Sequence, residues 1–170
     1  MALEKVNSPK DLKNLKREEL VELAADIRKA LLNRLTNYPK GGHVGPNFGV
    51  VEMTIALHYV FNSPIDKIVF DVSHQAYPHK ILTGRADRFS TLRQNDGMSG
   101  FPKRSESEYD VYDTGHSSTS ISAAMGLAVA RDINKSDEEV IAVIGDGAMT
   151  GGPSFEALNN LGSLGSKVII

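Results

Sequence analysis

A short glycine-rich run with one carboxylate, GDGAMTGG at residues 145–152, is the segment of the sequence best suited to chemistry. It stands between an apolar run and a helical pattern, where backbone N–H groups and the positive end of a helix can hold a phosphate anion. Asp146 adds a hard oxygen ligand suited to magnesium. A P-loop would end in Gly-Lys-Ser/Thr, and the dinucleotide fingerprint needs glycine where Thr150 stands, so neither motif fits. The alternative is a glycine-rich turn in which Asp146 is an ordinary cap.

Five histidines differ in how well their surroundings suit a functional role. His43 in GGHVGPNFG and His116 in TGHSSTS have small neighbours, which let a ligand approach the imidazole for acid/base work or binding. A hydrogen-bonded structural role is the equal alternative for each. His74 follows an apolar run at its carboxyl end, which favours it over His79 as a functional residue. His58 lies within a helical pattern and is predicted to belong to the core.

The other polar residues indicate no further catalytic group. The sequence has no metal cluster of the His-x-x-x-His or His-Glu type, and a Ser/His/Asp triad cannot be assigned from spacing because triads are set in three dimensions. The stretch KRSESEYD at residues 103–110 alternates in charge and indicates a solvated loop. Phosphate contact by Lys103 or Arg104 is the alternative for this stretch.

The first half of the chain is predicted to be largely helical. Apolar residues recur every three or four positions over residues 17–37, which predicts an amphipathic helix. Residues 49–61 are apolar on nearly every side and predict a buried helix. Residues 68–72 form a short run of strand formers, which predicts a buried strand. Residues 75–113 are irregular, so we expect loops and short helices near a ligand there.

The second half alternates helix and strand. Ser117 to Ser120 can cap a helix over about residues 121–133, and residues 140–144 are the clearest strand. A further helix is predicted from about Pro153, and residues 167–170 begin another strand. This order predicts an α/β fold, a parallel sheet with helices on both faces, in which ligands lie beyond the carboxyl ends of the strands.

Composition predicts one soluble globular domain with one core, at 41% hydrophobic and 24% charged residues. The net charge of −2 comes with no basic face or polybasic cluster, so neither nucleic acid nor a membrane is expected as a partner. No apolar run approaches the roughly 18 residues of a membrane span, and the first residues lack the features of a signal or transit peptide. The lack of cysteine fits a reducing compartment, and we expect a cytoplasmic location.

Several long strings, in order along essentially the whole chain, resemble the 1-deoxy-D-xylulose-5-phosphate synthase family. The strings are GGHVGPNFGVVEMTIALHYVF, DVSHQAYPHKILTGR, GFPKRSESEYDVYDTGHSSTSIS and GDGAMTGGPSFEALNN. The GDG triplet alone would indicate only the wider thiamine-diphosphate class, which includes transketolases and 2-oxo acid dehydrogenases. The second and third strings narrow the resemblance to the synthases.

The resemblance implies a thiamine-diphosphate-binding fold and an enzyme that uses thiamine diphosphate and Mg²⁺. Such an enzyme condenses pyruvate with glyceraldehyde 3-phosphate, releases carbon dioxide and forms 1-deoxy-D-xylulose 5-phosphate, a precursor of isoprenoids, thiamine and pyridoxal phosphate. The full enzyme would be a homodimer. The alternatives are the amino-terminal subunit of a split transketolase-like enzyme and a non-catalytic module that kept the fold.

The resemblance also implies roles for individual residues. Asp146 would bind magnesium, and His43 would be the catalytic residue that faces the reacting carbons. The residues expected to bind the cofactor are His74, Gly115, His116, Ser117, Gly145, Gly147 and Ala148. Pro46 and Asn47 stand where two serines often follow the Gly-Gly-His segment, which puts direct hydroxyl contacts there in question.

The last expectation concerns the extent of the chain. Residues 1–170 would be an amino-terminal diphosphate-binding domain that stops before the turn carrying the second metal ligand, with the later domains absent. Asn159 and Asn160 would not replace that ligand, because they match the helix that follows the glycine run. The remaining part of the enzyme would be a second chain or a missing segment. These 170 residues alone would be inactive and would not be a folded monomer by themselves.

Overall fold

A computed structural model describes residues 1–37 and 41–170. The chain forms two compact units, Met1–Asn62 with His74–Gly100 and Ser63–Ser73 with Phe101–Ile170. Each unit has its own cluster of buried apolar side chains, so the expectation of one core is wrong. Composition counts apolar residues but does not show where they gather, and the strand that follows Asn62 joins a different cluster from the helices around it.

The first unit is built from helices. They are α1 (Pro9–Leu12), α2 (Arg17–Thr36), α3 (Val44–Gly49), α4 (Val51–Val60) and α5 (Tyr77–Lys80). A π-helical segment, Ile81–Arg85, and 3-10 turns at Ala2–Lys5 and Phe89–Thr91 complete the unit. The helix predicted over residues 17–37 and the short helices predicted after residue 75 are confirmed. No helix in the described part of the chain is long and apolar enough to span a membrane.

Helix α4 confirms the predicted element but not its predicted burial. Its buried residues, Val51, Thr54, Ile55 and His58, lie three or four positions apart and therefore on one face. On the other face Val60 is 63% exposed. The expectation of burial on nearly every side is wrong, because a high apolar content does not fix how many faces of a helix are covered.

The apolar stripe of α2 provides the centre of the first core. Leu23, Ile27 and Leu31 have no exposed surface and pack in one cluster with residues of α1, α4 and α5. Full burial of a side chain of this size contributes about 1.5–3 kcal/mol.

Residue 84 has to be glycine for two reasons. Its φ is +80°, and a Cβ there would lie 2.8 Å from the Asn7 carbonyl oxygen.

A pair of histidines is buried between α4 and α5. His58 Nε2 lies 3.0 Å from His79 Nδ1, the rings are stacked, and both side chains are buried. This confirms the core placement predicted for His58. Burial lowers the pKa of His58 well below its usual range, and the nearby positive charges of His79 and Arg85 lower it further. His58 is therefore neutral in the folded protein.

Acid should destabilise the fold through His58. Unfolded His58 takes up a proton near pH 6.5, whereas the folded residue does so only at lower pH, so the stabilisation is complete above about pH 6.5 and is lost below it. We expect the free energy of unfolding, measured by urea denaturation between pH 8 and 5.5, to fall by up to about 1.4 kcal/mol per pH unit in the acid range. His58→Gln should flatten this dependence, and His116→Gln, at an exposed position, should retain it. An equal slope in His58→Gln would contradict the assignment.

The second unit contains a small parallel sheet. Strands β1 (Lys67–Phe70) and β2 (Val140–Val143) pair in parallel with Lys67 opposite Val140 and Phe70 opposite Val143. The strand predicted over residues 167–170 is present as one bridge, in which Ile169 N donates to Val140 O at 2.9 Å and Ala142 N donates to Ile169 O at 2.8 Å. The predicted parallel order of the three segments is confirmed.

The second unit contains the helices α6 (Ser120–Asn134), α7 (Asp146–Met149) and α8 (Gly152–Leu164). Helices α6 and α8 pack against the sheet. Small residues of α6 and α8, including Ala124, Ala128 and Ala157, share an apolar cluster with Val69 and Ala142 of the strands. The strand residues that alternate to the other face, Ile68, Phe70 and Ile141, are buried as well. Burial of both faces confirms the predicted α/β class.

The start of α6 is capped by a residue that the sequence did not indicate. Thr119, the residue at the start of α6, makes no capping hydrogen bond with its side chain in the described structure. The expectation that Ser117 to Ser120 supply the cap is therefore wrong. Instead the buried carboxylate of Asp71, directly after β1, accepts hydrogen bonds from Ser118 N at 2.8 Å and Ser120 N at 3.0 Å. A carboxylate satisfies two N–H groups at once and carries the charge that a helix start favours.

The chain turns sharply after Asp71. Val72 and Ser73 have φ values of 55° and 73°, in the left-handed region that residues other than glycine seldom adopt. The predicted strand over residues 68–72 therefore ends at Phe70, because Val72 cannot continue it. Ser73 Oγ donates a hydrogen bond to Phe70 O at 2.7 Å and holds the turn against the strand end.

Removal of the Asp71 carboxylate should destabilise the second unit. Asp71→Ala leaves two N–H groups without an acceptor, and a hydrogen bond to a charged group contributes about 1.5–3 kcal/mol, so we expect a loss of about 3 kcal/mol or more in chemical denaturation. Asp71→Asn keeps one acceptor oxygen and should lose less. Asp137→Asn, at an exposed position, is the control. An Asp71→Ala variant as stable as this control would show that the cap is unimportant.

Candidate functional site

Two of the histidines singled out from the sequence lie side by side in the first unit. The ring centroids of His43 and His74 are 5.3 Å apart with an angle of 69° between the planes. Both side chains are partly buried. The Nδ1 atom of His74 is buried and has no hydrogen-bond partner among the described residues, so it can still bind a polar group.

The surroundings of His43 suit a proton acceptor. Burial lowers the pKa of His43 below its usual value, and the positive charges that His74 and Arg93 can carry lower it further. The imidazole is therefore neutral near pH 7 and has a ring nitrogen that can take up a proton. This chemistry agrees with the acid/base role that the sequence suggested, which remains a prediction.

One buried amide holds the main chain at both histidines. Asn47 Nδ2 donates hydrogen bonds to His43 O at 2.6 Å and to His74 O at 2.8 Å, and Asn47 Oδ1 accepts one from Tyr77 N at 2.8 Å. The Asn47 side chain has no exposed surface. At residue 47, where the resemblance expected a hydroxyl, the side chain thus contacts main-chain groups.

Close packing also restricts the segment before His43. A Cβ added to Gly42 would overlap Leu35 Cδ2 and would lie 3.1 Å from the Tyr77 hydroxyl. Leu35 and Tyr77 are both buried in the first core. A larger residue at position 42 would therefore displace the buried side chain of Leu35.

The glycine run lies in the second unit, directly after β2. It forms the short helix α7 before α8 begins at Gly152, one residue earlier than predicted. Asp146 is exposed, and its Oδ1 accepts a hydrogen bond from Gly147 N at 2.9 Å. The second carboxylate oxygen can still bind a cation. A Cβ added to Gly145 or Gly147 would meet no described atom within 4 Å, so the backbone there is open to a ligand.

Two serine hydroxyls join the glycine run to the Gly-His-Ser segment. Ser118 Oγ donates a hydrogen bond to Ala148 O at 2.7 Å, and Ser154 Oγ donates one to the same oxygen at 3.0 Å. Because Ser118 N also binds Asp71, the end of β1, the start of α6 and the turn after β2 meet at one edge of the sheet. This is the carboxyl edge, where the fold class was predicted to bind ligands.

The predicted residues of the Gly-His-Ser segment lie at the surface. Gly115, His116 and Ser117 are exposed, and the backbone there is shaped by a hydrogen bond of 3.1 Å from His116 N to Thr114 Oγ1. The structure thus brings this segment together with Ala148 through Ser118. The roles of these residues in binding a cofactor remain predictions.

The charged loop at residues 103–110 is ordered by carboxylates. Lys103 N donates a hydrogen bond to Asp110 Oδ2 at 2.8 Å, and Arg104 N donates one to Asp113 Oδ1 at 2.7 Å. The side chains of Lys103 and Arg104 are exposed, as expected for a solvated loop. Contact of either cation with phosphate remains an alternative.

The described residues have polar groups suited to the implied cofactor, and they would supply only part of a magnesium site. In the second unit, the open backbone at Gly145 and Gly147 could meet a diphosphate group. In the first unit, taken by itself, Nδ1 of His74 could bind a polar group of a ligand. Asp146 offers a carboxylate oxygen to Mg²⁺. Within residues 1–37 and 41–170, no group of three or more His, Asp or Glu side chains is arranged to hold a metal ion. Mg²⁺ would therefore need further ligands.

Sequence reasoning missed residues that build the site without displaying a motif. Asp71 and Ser118 belong to segments that carry the family resemblance, DVSHQAYPHK and GHSSTS. However, Asp71 binds Ser118 across 47 residues of sequence, and Ser118 binds Ala148 across 30. Ser154 belongs to the fourth string and to a predicted helix, but neither indicated a role for it. A carboxylate directly after a buried strand is the one local signal that could have identified Asp71 as a cap.

A parallel sheet whose second strand runs into a Gly-Asp-Gly turn, closed by the segment that begins α6, defines an α/β domain of the thiamine-diphosphate-binding class. The family model of 1-deoxy-D-xylulose-5-phosphate synthase, in its amino-terminal part, matches residues 3–170, and the chain belongs to this family.

Curated relatives agree with this membership. The chain is 59% identical over 170 residues to 1-deoxy-D-xylulose-5-phosphate synthase of Geobacillus sp. (strain WCH70), which covers 100% of this chain and 27% of the relative. It is 61% identical over 168 residues to the synthase of Alkaliphilus oremlandii, covering 99% of this chain and 27% of the relative. For the synthase of Listeria innocua the identity is 59% over 166 residues, which are 98% of this chain and 26% of the relative. The chain thus spans about a quarter of the length of these relatives.

Loss of the Ser118 hydroxyl should loosen the glycine run. Ser118→Ala removes one of the two hydroxyl donors to Ala148 O, so we expect faster amide hydrogen exchange at residues 146–151 and a stability loss of about 1 kcal/mol. Ser122→Ala, at an exposed position of α6, is the matched control. Unchanged exchange at residues 146–151 in Ser118→Ala would show that the hydroxyl does not hold the turn.

Proposed function

We propose that the protein catalyses the condensation of pyruvate with glyceraldehyde 3-phosphate to 1-deoxy-D-xylulose 5-phosphate with loss of carbon dioxide, and that these 170 residues contribute part of its cofactor site. The observation that carries the proposal is the extent of the family match. It runs over residues 3–170 and includes both the His43–His74 pair and the glycine run.

The proposed cofactors are thiamine diphosphate and Mg²⁺. When bound, thiamine diphosphate would supply a carbon nucleophile and an electron sink for the loss of carbon dioxide. Asp146 gives an oxygen ligand to Mg²⁺, and the backbone of Gly145, Gly147 and Ala148 binds the diphosphate. His74, Gly115, His116 and Ser117 make further contacts with the cofactor.

His43 is the proposed catalytic residue. Its pKa lies below the usual value, so its imidazole is neutral at neutral pH and can take up a proton at a ring nitrogen. The aldehyde oxygen of glyceraldehyde 3-phosphate must gain a proton as the new carbon–carbon bond forms, and the hydroxyl that becomes the ketone of the product must lose one. His43 would give the first proton and take up the second, which returns the ring to its starting state. His74 packs against the ring of His43 and limits its orientations, which would hold the ring nitrogens in one geometry for proton transfer.

The wider setting of the reaction is also part of the proposal. The product would supply isoprenoid precursors, thiamine and pyridoxal phosphate. The active form would be a homodimer of the full enzyme, made from these residues and the remaining part of the polypeptide. A cytoplasmic location fits the composition, since the chain has no cysteine that would need an oxidising compartment.

The test uses the natural polypeptide as the cell of origin produces it. Calorimetry measures binding of thiamine diphosphate with Mg²⁺, and mass spectrometry measures product formed from pyruvate and glyceraldehyde 3-phosphate. We expect Asp146→Asn to weaken cofactor binding, because one anionic ligand is lost. We expect His43→Asn to keep cofactor binding and to lower kcat by about 10²–10⁴-fold, the usual contribution of general acid–base catalysis.

The control and the contrary outcomes separate the alternatives. Asp137→Asn removes an exposed carboxylate in the loop before β2 and should change neither quantity. Cofactor binding without this product, but with ketol transfer between sugar phosphates, would favour a transketolase-like enzyme. No cofactor binding in the wild-type polypeptide would favour a non-catalytic module.

A further inference from the structure

Asn47 is a fully buried polar side chain that joins three separate stretches of main chain in the first unit. Its partners His43, His74 and Tyr77 stand 4, 27 and 30 residues away along the sequence. Asn47 itself belongs to α3, which begins directly after His43. A single amide thus joins the loop of one histidine, the backbone of the other and the first residue of α5.

The chemistry of these partners requires an amide at residue 47. Two of the partners are carbonyl oxygens, which need donors, and the third is an N–H group, which needs an acceptor. Asparagine provides both kinds on one small planar group, and the three partners fix which end is nitrogen. A serine hydroxyl has one proton to donate, and an aspartate has none when ionised.

Burial makes these hydrogen bonds a strong constraint on the backbone. The Asn47 side chain has no exposed surface, so water cannot replace a lost partner without a change in the fold. The distances of 2.6–2.8 Å show three short contacts made at once. The carbonyl groups of His43 and His74 are consequently held at a fixed separation, and the two rings meet at 5.3 Å between their centroids.

We propose that Asn47 is a positioning residue of the reaction, which holds the backbone of His43 and His74 so that the two imidazoles act as a fixed pair. The inference rests on the proposed function for its catalytic meaning. Asn47 acts through the main chain of the histidines. Its effect on turnover therefore comes from the placement of His43 and from how far that ring is shielded from water.

Replacement of Asn47 should change the titration of His43. Burial is the main cause of the lowered pKa of His43, and the positive charges of His74 and Arg93 add to it. When the amide is removed, the loop of His43 moves more freely, water reaches the ring and His74 is no longer held beside it. Each of these changes favours the protonated imidazole, so the pKa of His43 should rise towards 6.5.

The experiment compares Asn47→Ala with Thr54→Val, each made in the natural polypeptide as the cell of origin produces it. Thr54 is an equally buried residue whose hydroxyl donates to Val50 O at 2.7 Å, one turn earlier in the chain. Thr54→Val therefore removes a buried hydrogen bond without touching either histidine. The first readout is the titration of His43 by NMR with 13C-labelled histidine, assigned by the signal that disappears in His43→Asn. The second is the pH profile of kcat/KM for the synthase reaction.

The proposal predicts that Asn47→Ala raises the pKa of His43, shifts the acid limb of kcat/KM to higher pH by the same amount and lowers kcat about 10-fold or more. Thr54→Val should leave both profiles as in the wild type. An unchanged titration of His43 in Asn47→Ala, or the same change in Thr54→Val, would overturn the proposal. If Asn47→Ala does not fold, Asn47→Ser is judged by the same two criteria.

The two readouts also separate this inference from the proposed function. The NMR titration needs no substrate, so it decides whether Asn47 controls His43 even if the wild-type polypeptide makes no 1-deoxy-D-xylulose 5-phosphate. In that case the proposed function fails and the structural role of Asn47 is still tested. A normal wild-type reaction with an unchanged titration in the variant would leave the function intact and reject the positioning role.

Discussion

The arrangement of the second unit depends on one buried carboxylate. Asp71 stands where β1 ends and accepts the N–H groups of Ser118 and Ser120, so it fixes the direction in which α6 leaves the sheet. Ser118 in turn donates to the carbonyl oxygen of Ala148 in the glycine run. A chain of three hydrogen bonds therefore links a strand end, a helix start and a turn. Without the Asp71 carboxylate, the open backbone at Gly145 and Gly147 would lose the support that reaches it through Ser118.

The first unit places its histidines by the same physical principle with a different group. Asn47 in the first unit corresponds to Asp71 in the second, since each is a buried side chain that binds more than one main-chain group. The choice of side chain follows from the partners. Two N–H groups call for a carboxylate, whereas two carbonyl groups and one N–H group call for an amide. In both units the residues expected to meet a ligand are held by neighbours that do not themselves face it.

The sequence was sufficient for the elements and for the two sets of candidate residues. The stripe of α2, the apolar runs of β1 and β2 and the glycine run after β2 are local patterns, and local patterns determine where helices, strands and turns form. The resemblance then selected the histidines. The sequence was insufficient to predict contacts between distant residues. Asp71 and Ser118 are 47 residues apart and Asn47 and His74 are 27 apart, and contacts over such distances produce no periodic pattern. The one-sided burial of α4 was missed for a related reason, since burial depends on what packs against a helix.

The left-handed backbone at Val72 and Ser73 affects the unfolded chain as well as the folded one. Strain of this kind costs of order 1–3 kcal/mol per residue in the folded state, and glycine would remove most of it. Glycine, however, has more conformations to lose on folding than valine or serine. The entropy of the unfolded chain thus offsets part of the strain. The sharp turn behind Asp71 is therefore kept by residues that restrict the chain before it folds.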